Sequence, residues 1–149
     1  MAKILLALAS TLALGALSSS LAAERAQEGG RTIELRPGQA VVFPVAIVDS
    51  GVVVGIAHGL KPSAGAPEEG EIEVEVVKQG LSPYAELSAS EKTDAPVDFV
   101  ATAFVGNIKI DERIVCGQLD APAKTRIASG AWRISLNRFA VHKEGRDCR

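Results

Sequence analysis

Val97-Asp98-Phe99-Val100-Ala101-Thr102-Ala103-Phe104-Val105-Gly106-Asn107-Ile108-Lys109-Ile110-Asp111-Glu112-Arg113-Ile114-Val115-Cys116 reads as two β-strands joined by a tight turn. Glycine in the first position of a two-residue loop suits a type II′ turn, which matches the twist of the strands it joins. That turn predicts a register with Val105 opposite Ile108, Ala103 opposite Ile110, Phe99 opposite Ile114 and Val97 opposite Cys116. All eight share one face, because side chains alternate with period two. Ala101 opposite Glu112 is the exception on that face. Val100, Thr102 and Phe104 meet Arg113, Asp111 and Lys109 on the other. The pattern therefore predicts an antiparallel hairpin with Cys116 pointing inward.

The same signals recur on both sides of this hairpin. Thr32-Ile33-Glu34-Leu35 alternates, and Pro37-Gly38 marks a turn. Ala40 to Val48 is apolar and β-branched but contains Pro44, which cannot donate to a ladder, so an edge or bulged strand is expected. Asp49-Ser50-Gly51 suits a three-residue loop with glycine in the left-handed position. Val52 to Ala57 reads as a buried strand and His58 to Gly70 as a long loop. Glu71 to Lys78 alternates cleanly, with Ile72, Val74 and Val76 on one face and Glu71, Glu73 and Glu75 on the other. Those glutamates read as a solvated face or as charge guarding a sheet edge, not as a calcium loop, whose oxygens must converge. A weaker strand follows over Tyr84 to Ser90, and a short one is expected near Arg126. A final strand over Ala131 to Val141 is expected to turn Trp132, Ile134 and Leu136 inward. Seven or eight short strands with regular turns predict an all-β fold: an antiparallel β-sandwich, immunoglobulin-like as first choice, or a small β-barrel.

Residues 1–22 carry the marks of a cleaved signal peptide: Lys3, an apolar stretch from Ile4 to Leu17, and Ser20-Leu21-Ala22 before a polar segment. The apolar stretch is shorter than the roughly 20 residues a spanning helix needs. Residues 23–30 read as a flexible leader and 31–149 as one domain. An exported chain, periplasmic or secreted, with two cysteines favours a Cys116–Cys148 disulfide. In the chain-entropy model that closure is worth roughly 3–4 kcal/mol. A metal centre built on Cys116, Cys148 and His142, with His58, has none of the local ligand spacing that zinc sites show, so no metal and no cofactor is expected.

Charge is divided unevenly along the chain. Ala23 to Ile108 holds six basic residues against thirteen acidic, and Lys109 to Arg149 nine against five. Arg126, Arg133 and Arg138 lie in that basic end and suit an acidic polymer or anionic headgroup. They lack the interleaved aromatics that stack bases, so nucleic acid is not an expected partner. No nucleophile elbow accompanies His58. The expectation is an exported, non-enzymatic module, monomeric or weakly oligomeric and not inserted in the membrane, that binds a protein or polymer of the cell envelope. Its contacts are expected at His58 and Lys61 in the long loop, at Tyr84, and at Arg126, Arg133 and Arg138, because loops on a rigid sandwich commonly carry function. Two alternatives are a hydrolase with His58 as base, near Asp49, and an envelope-assembly subunit joined by β-strand addition at the Pro44 edge.

Overall fold

A computed structural model describes residues 30–49, 51–61 and 66–148. The expected signal peptide and nearly all of the leader lie outside the described residues, as do residues 62–65 of the expected loop. The fold is all-β. Ten strands run in chain order: β1 (Ile33–Leu35), β2 (Ala40–Val48), β3 (Gly51–Val54), β4 (His58–Lys61), β5 (Glu71–Lys78), β6 (Tyr84–Glu91), β7 (Val97–Val105), β8 (Ile108–Val115), β9 (Ala123–Ala128) and β10 (Arg133–Val141). They form two antiparallel sheets. One has the order β1-β10-β7-β8; the other has the order β3-β2-β5-β6-β9, with β4 also paired to β2. The apolar faces of both sheets meet in one core. The immunoglobulin pattern of a core tryptophan against an intersheet bridge is not followed: Trp132 is 66% exposed, and the disulfide ties the C-terminal tail to the end of β8.

Pro44 does not mark an edge. β2 lies inside its sheet, between β5 on one side and β3 and β4 on the other. The carbonyl of Pro44 accepts from Gly55 N–H at 2.8 Å, on the β3–β4 side. In an antiparallel strand a residue's N–H and C=O point the same way. The donor that proline lacks is therefore missing on that side, and there the partner strand breaks into β3 and β4. A Cβ at Gly55 would collide with the Pro44 ring, so the break also requires glycine. His58 to Lys61, expected within a loop, is the second half of this broken strand, with His58 opposite Val42 and Lys61 opposite Ala40. The β2–β3 loop also differs from expectation. Val48 pairs with Gly51, and Asp49 instead of Gly51 takes the positive φ.

The β7–β8 turn forms as expected, with Gly106 at φ 57°, Val105 opposite Ile108 and Phe104 opposite Lys109. Beyond it the register shifts. A bulge at Ile110 puts Asp111 opposite Ala103, Arg113 opposite Ala101 and Val115 opposite Phe99. One extra residue flips every later side chain to the other face. Ile108, at the hairpin tip, and Ile110, in the bulge, are exposed, and Val115 beyond it is buried. Cys116 falls on the outward side, correcting its expected inward placement. The inward positions of β8 go to Asp111 and Arg113, which close the seam to β9. Asp111 Oδ2 accepts from Ala128 N–H at 3.0 Å, and Arg113 Nε donates to the Arg126 carbonyl at 3.1 Å. These bonds satisfy backbone groups of an edge strand that would otherwise be open to pairing.

A second bulge lies in β10, between Asn137 and Ala140. Ile134 and Leu136 face the core as expected, and strict alternation would send Arg138 inward next. Instead Arg138 adopts φ 54° and stays exposed, and Phe139 enters the core. This is the bulge geometry that normally takes glycine at its first position. Arg138→Gly is therefore expected to leave stability unchanged or raise it by up to about 1 kcal/mol in urea unfolding, the gain limited by glycine's greater freedom when unfolded. A loss larger than that would mean the arginine side chain holds the bulge.

Candidate functional site

Four turns meet at one end of the sandwich: β1–β2, β5–β6, β7–β8 and β9–β10. The first is a Pro-Gly turn in which Gln39 N–H donates to the Arg36 carbonyl at 3.0 Å and Gly38 takes φ 87°, the type II signature. The last delivers Trp132. Its N–H donates to the Phe104 carbonyl at 2.8 Å, and the preceding Ala131 is buried. The backbone is thus held, while the indole stands in solvent. Its expected inward placement is corrected here: Trp132 precedes β10 and belongs to the turn, where strand alternation does not apply.

Trp132 is shared by two open concavities. One, about 500 Å³, is lined by Glu34, Leu35, Arg36, Gln39, Gly106, Trp132 and Arg133. The other, about 420 Å³, is lined by Arg36, Pro37, Lys78, Ala131 and Trp132. Arg133 stacks its guanidinium 4.5 Å above the Phe104 ring and pairs with Glu34 at 2.5 Å. Arg36 and Lys78 have no side-chain ion pair among the described residues. The groove therefore presents an aromatic plane with two uncompensated cations beside it. It is rigid on the Arg133 side, where charge and stacking fix the side chain.

Of the residues expected to bind, Arg133 alone lines this groove. Tyr84 is partly exposed at the start of β6, at the same end of the sandwich but outside the lining. Arg126 points out from the six-stranded sheet, whereas Arg133 lies on the outward face of the other sheet. Arg138 belongs to the β10 bulge towards the opposite end. The three arginines thus form no common patch. His58 meets Glu71 instead of Asp49, which sits at the tip of the β2–β3 hairpin: His58 Nε2 lies 2.7 Å from Glu71 Oε1. The Glu68 N–H and this histidine hold the Glu71 carboxyl below its ordinary value. Lys61 is paired at the backbone, and its side chain lies outside the described residues. The glutamates of β5 form an outward face on an interior strand, not an edge guard. Burial, reinforced by Glu75, raises the pKa of Glu73.

At the opposite end the C-terminal tail crosses the outward face of the four-stranded sheet and covers Asp98, leaving it 1% exposed. Asp98 Oδ1 accepts from Gly117 N–H at 3.1 Å and lies 2.8 Å from His142 Nδ1, while Oδ2 accepts from Arg146 at 3.2 Å. The Cys116–Cys148 bridge fastens the same tail, with Cα atoms 5.7 Å apart. Nearby, Glu91 accepts from Val97 N–H at 2.9 Å and from the Thr93 hydroxyl at 3.1 Å. Burial raises its pKa despite these bonds, and the charge of Asp98 adds to the rise. Protonation of Glu91 therefore favours the fold. Its contribution is complete below the unfolded carboxyl value and is lost as pH rises through the raised one.

No family model matches the chain, and no curated protein or solved structure is significantly similar to it.

Proposed function

We propose that this protein is an exported, non-catalytic binding module whose Trp132 groove holds an anionic polysaccharide of the cell envelope. The observation that carries the reading is an exposed indole on a fixed backbone, flanked by the unpaired cations Arg36 and Lys78. A flat aromatic ring suits the apolar face of a sugar ring, and tryptophan offers a large, stiff contact with a polar edge. Arginine matches a carboxylate with two parallel donors, and lysine adds a point charge. Gln39 and the paired Glu34 offer partners for hydroxyl groups. Openness on both sides of the indole fits a chain passing across it better than a small molecule enclosed in a pocket. The groove's polar lining consists of cations, an amide and a paired carboxylate, a set suited to holding an anion. The disulfide is consistent with export. Among the described residues, no helix is long and apolar enough to cross a membrane.

Trp132 is the single tryptophan of the chain, so its fluorescence reports on the groove directly. Titration with polygalacturonate fragments is expected to shift the emission saturably, with weaker binding at high salt and none to neutral dextran. Trp132→Ala is expected to weaken binding at least tenfold by calorimetry, about 1.4 kcal/mol, while unfolding stays within about 0.5 kcal/mol of the parent. Equal affinity in Trp132→Ala, or equal binding of dextran, would overturn the proposal.

A further inference from the structure

The tail node contains a second arrangement, independent of the groove. The sulfurs of Cys116 and Cys148 and a ring nitrogen of His142 all lie within 4.8 Å of one another. Cys116 and His142 are half-buried, and Cys148 is exposed. His142 Nδ1 is engaged by Asp98 Oδ1 at 2.8 Å. A carboxylate on one ring nitrogen fixes the tautomer and leaves Nε2 with a lone pair, which is how zinc-binding histidines are commonly oriented. Local sequence spacing gave no hint of this, because the ligands converge through the β8 end and the returning tail.

We propose that the reduced form of this node is a zinc site with Cys116, Cys148 and His142 as ligands, so that disulfide and metal are alternative fastenings of the tail. A dithiol reductant transfers two electrons and two protons to the bridge. The S–S bond breaks, two thiols form, and the reductant leaves as its own disulfide. Zinc then binds two thiolates and the neutral imidazole, releasing two protons and leaving one position for water. Two thiolates and one histidine are an established zinc donor set. Once the bridge is open the sulfurs separate, and zinc–sulfur bonds of about 2.3 Å need only small movements of a tail already positioned by Asp98. Asp98 and Arg146 keep the tail in place in both states.

The probe is Co²⁺, titrated into the protein after reduction with a phosphine and removal of metal. The reduced chain is expected to bind one Co²⁺, with a near-ultraviolet sulfur-to-cobalt band and the visible bands of a tetrahedral centre, both erased by one equivalent of Zn²⁺. The disulfide form should show neither. Cys148→Ser should lose about half of the sulfur band, and His142→Ala should bind at least tenfold more weakly, with circular dichroism recording the fold of each. If reduction unfolds the chain, one equivalent of Zn²⁺ is expected to restore the β signal. Absence of the sulfur band from a folded reduced chain, an unchanged band in Cys148→Ser, or failure of Zn²⁺ to restore an unfolded one would overturn the proposal.

Discussion

Asp98→Ala is expected to destabilise the protein by about 3–5 kcal/mol in urea unfolding at neutral pH, because removing one partner leaves the rest of a buried charged network unmatched. Three donors lose their acceptor at once: Gly117 N–H, His142 and Arg146. Gly117 suffers most. It packs so closely on the Val97 backbone and the Glu91 carboxylate that a Cβ there would collide with both, so it has no room to turn its N–H elsewhere. Arg146 and His142 keep part of their surface in water and can recover some hydration, which favours the lower half of the range. Asp98→Asn keeps an acceptor but loses the charge, and a loss of about 1–2 kcal/mol is expected, near the value of one hydrogen bond to a charged group. The disulfide survives in both variants, so tail release should appear as faster amide exchange over residues 142–148 without loss of the bridge. An alanine variant within 1 kcal/mol of the parent would show that the tail is held by the disulfide alone.

The limits of the sequence reading fall at particular residues. Most strand positions, the Gly106 turn and the bridge between Cys116 and Cys148 were legible, because each rests on local chemistry: alternation, a turn residue, an even cysteine count; β4, read as loop, was the exception. The two bulges were not. At Ile110 the isoleucines of β8 made the unshifted register look better, since it buries Ile108, Ile110 and Ile114 together. The fold turns Asp111 and Arg113 inward instead, and their reward lies on β9, a strand they reach only through the sandwich. No local pattern encodes that. Starting the last strand at Ala131, two residues before β10 begins, places Trp132 in the core by alternation. Ser129-Gly130, separated from Trp132 only by Ala131, is the signal that could have placed it in the connection. Arg36 and Lys78 were missed because they stand far from Trp132 in sequence, and the meeting of four turns at one end brings them together. The basic residues of the C-terminal end are dispersed for a related reason. Arg126, Arg133 and Arg138 are near in sequence, but a crossing between sheets and a bulge separate them.

The second bulge leads to the other large expected effect. By setting Arg138 aside, it brings Phe139 into the core, between Phe43 of the six-stranded sheet and Phe99 of its own. The Phe43 and Phe139 rings meet edge to face at 5.5 Å and 66°, and the Phe99 and Phe139 rings lie 5.6 Å apart at 36°. Phe43→Ala is expected to cost about 3–5 kcal/mol, since the side chain is fully buried and strands on both sides limit collapse into the cavity. Phe43→Leu, which keeps most of the volume, is expected to cost less than half as much. Phe139→Ala should fall in the same range as Phe43→Ala, but the pair should not be additive. If the rings bind the two sheets to each other, a double-mutant cycle should return a coupling of about 0.5–1.5 kcal/mol beyond area burial. A coupling near zero would mean that each ring only fills its own sheet's face, and that the sheets are joined by aliphatic packing and by the Asp111–Arg113 seam. The bulge itself then supplies a control. Arg138→Gly preserves the left-handed turn and should keep the coupling, and so should deletion of Arg138, because Phe139 then follows Asn137 directly and takes the inward position opposite Phe99.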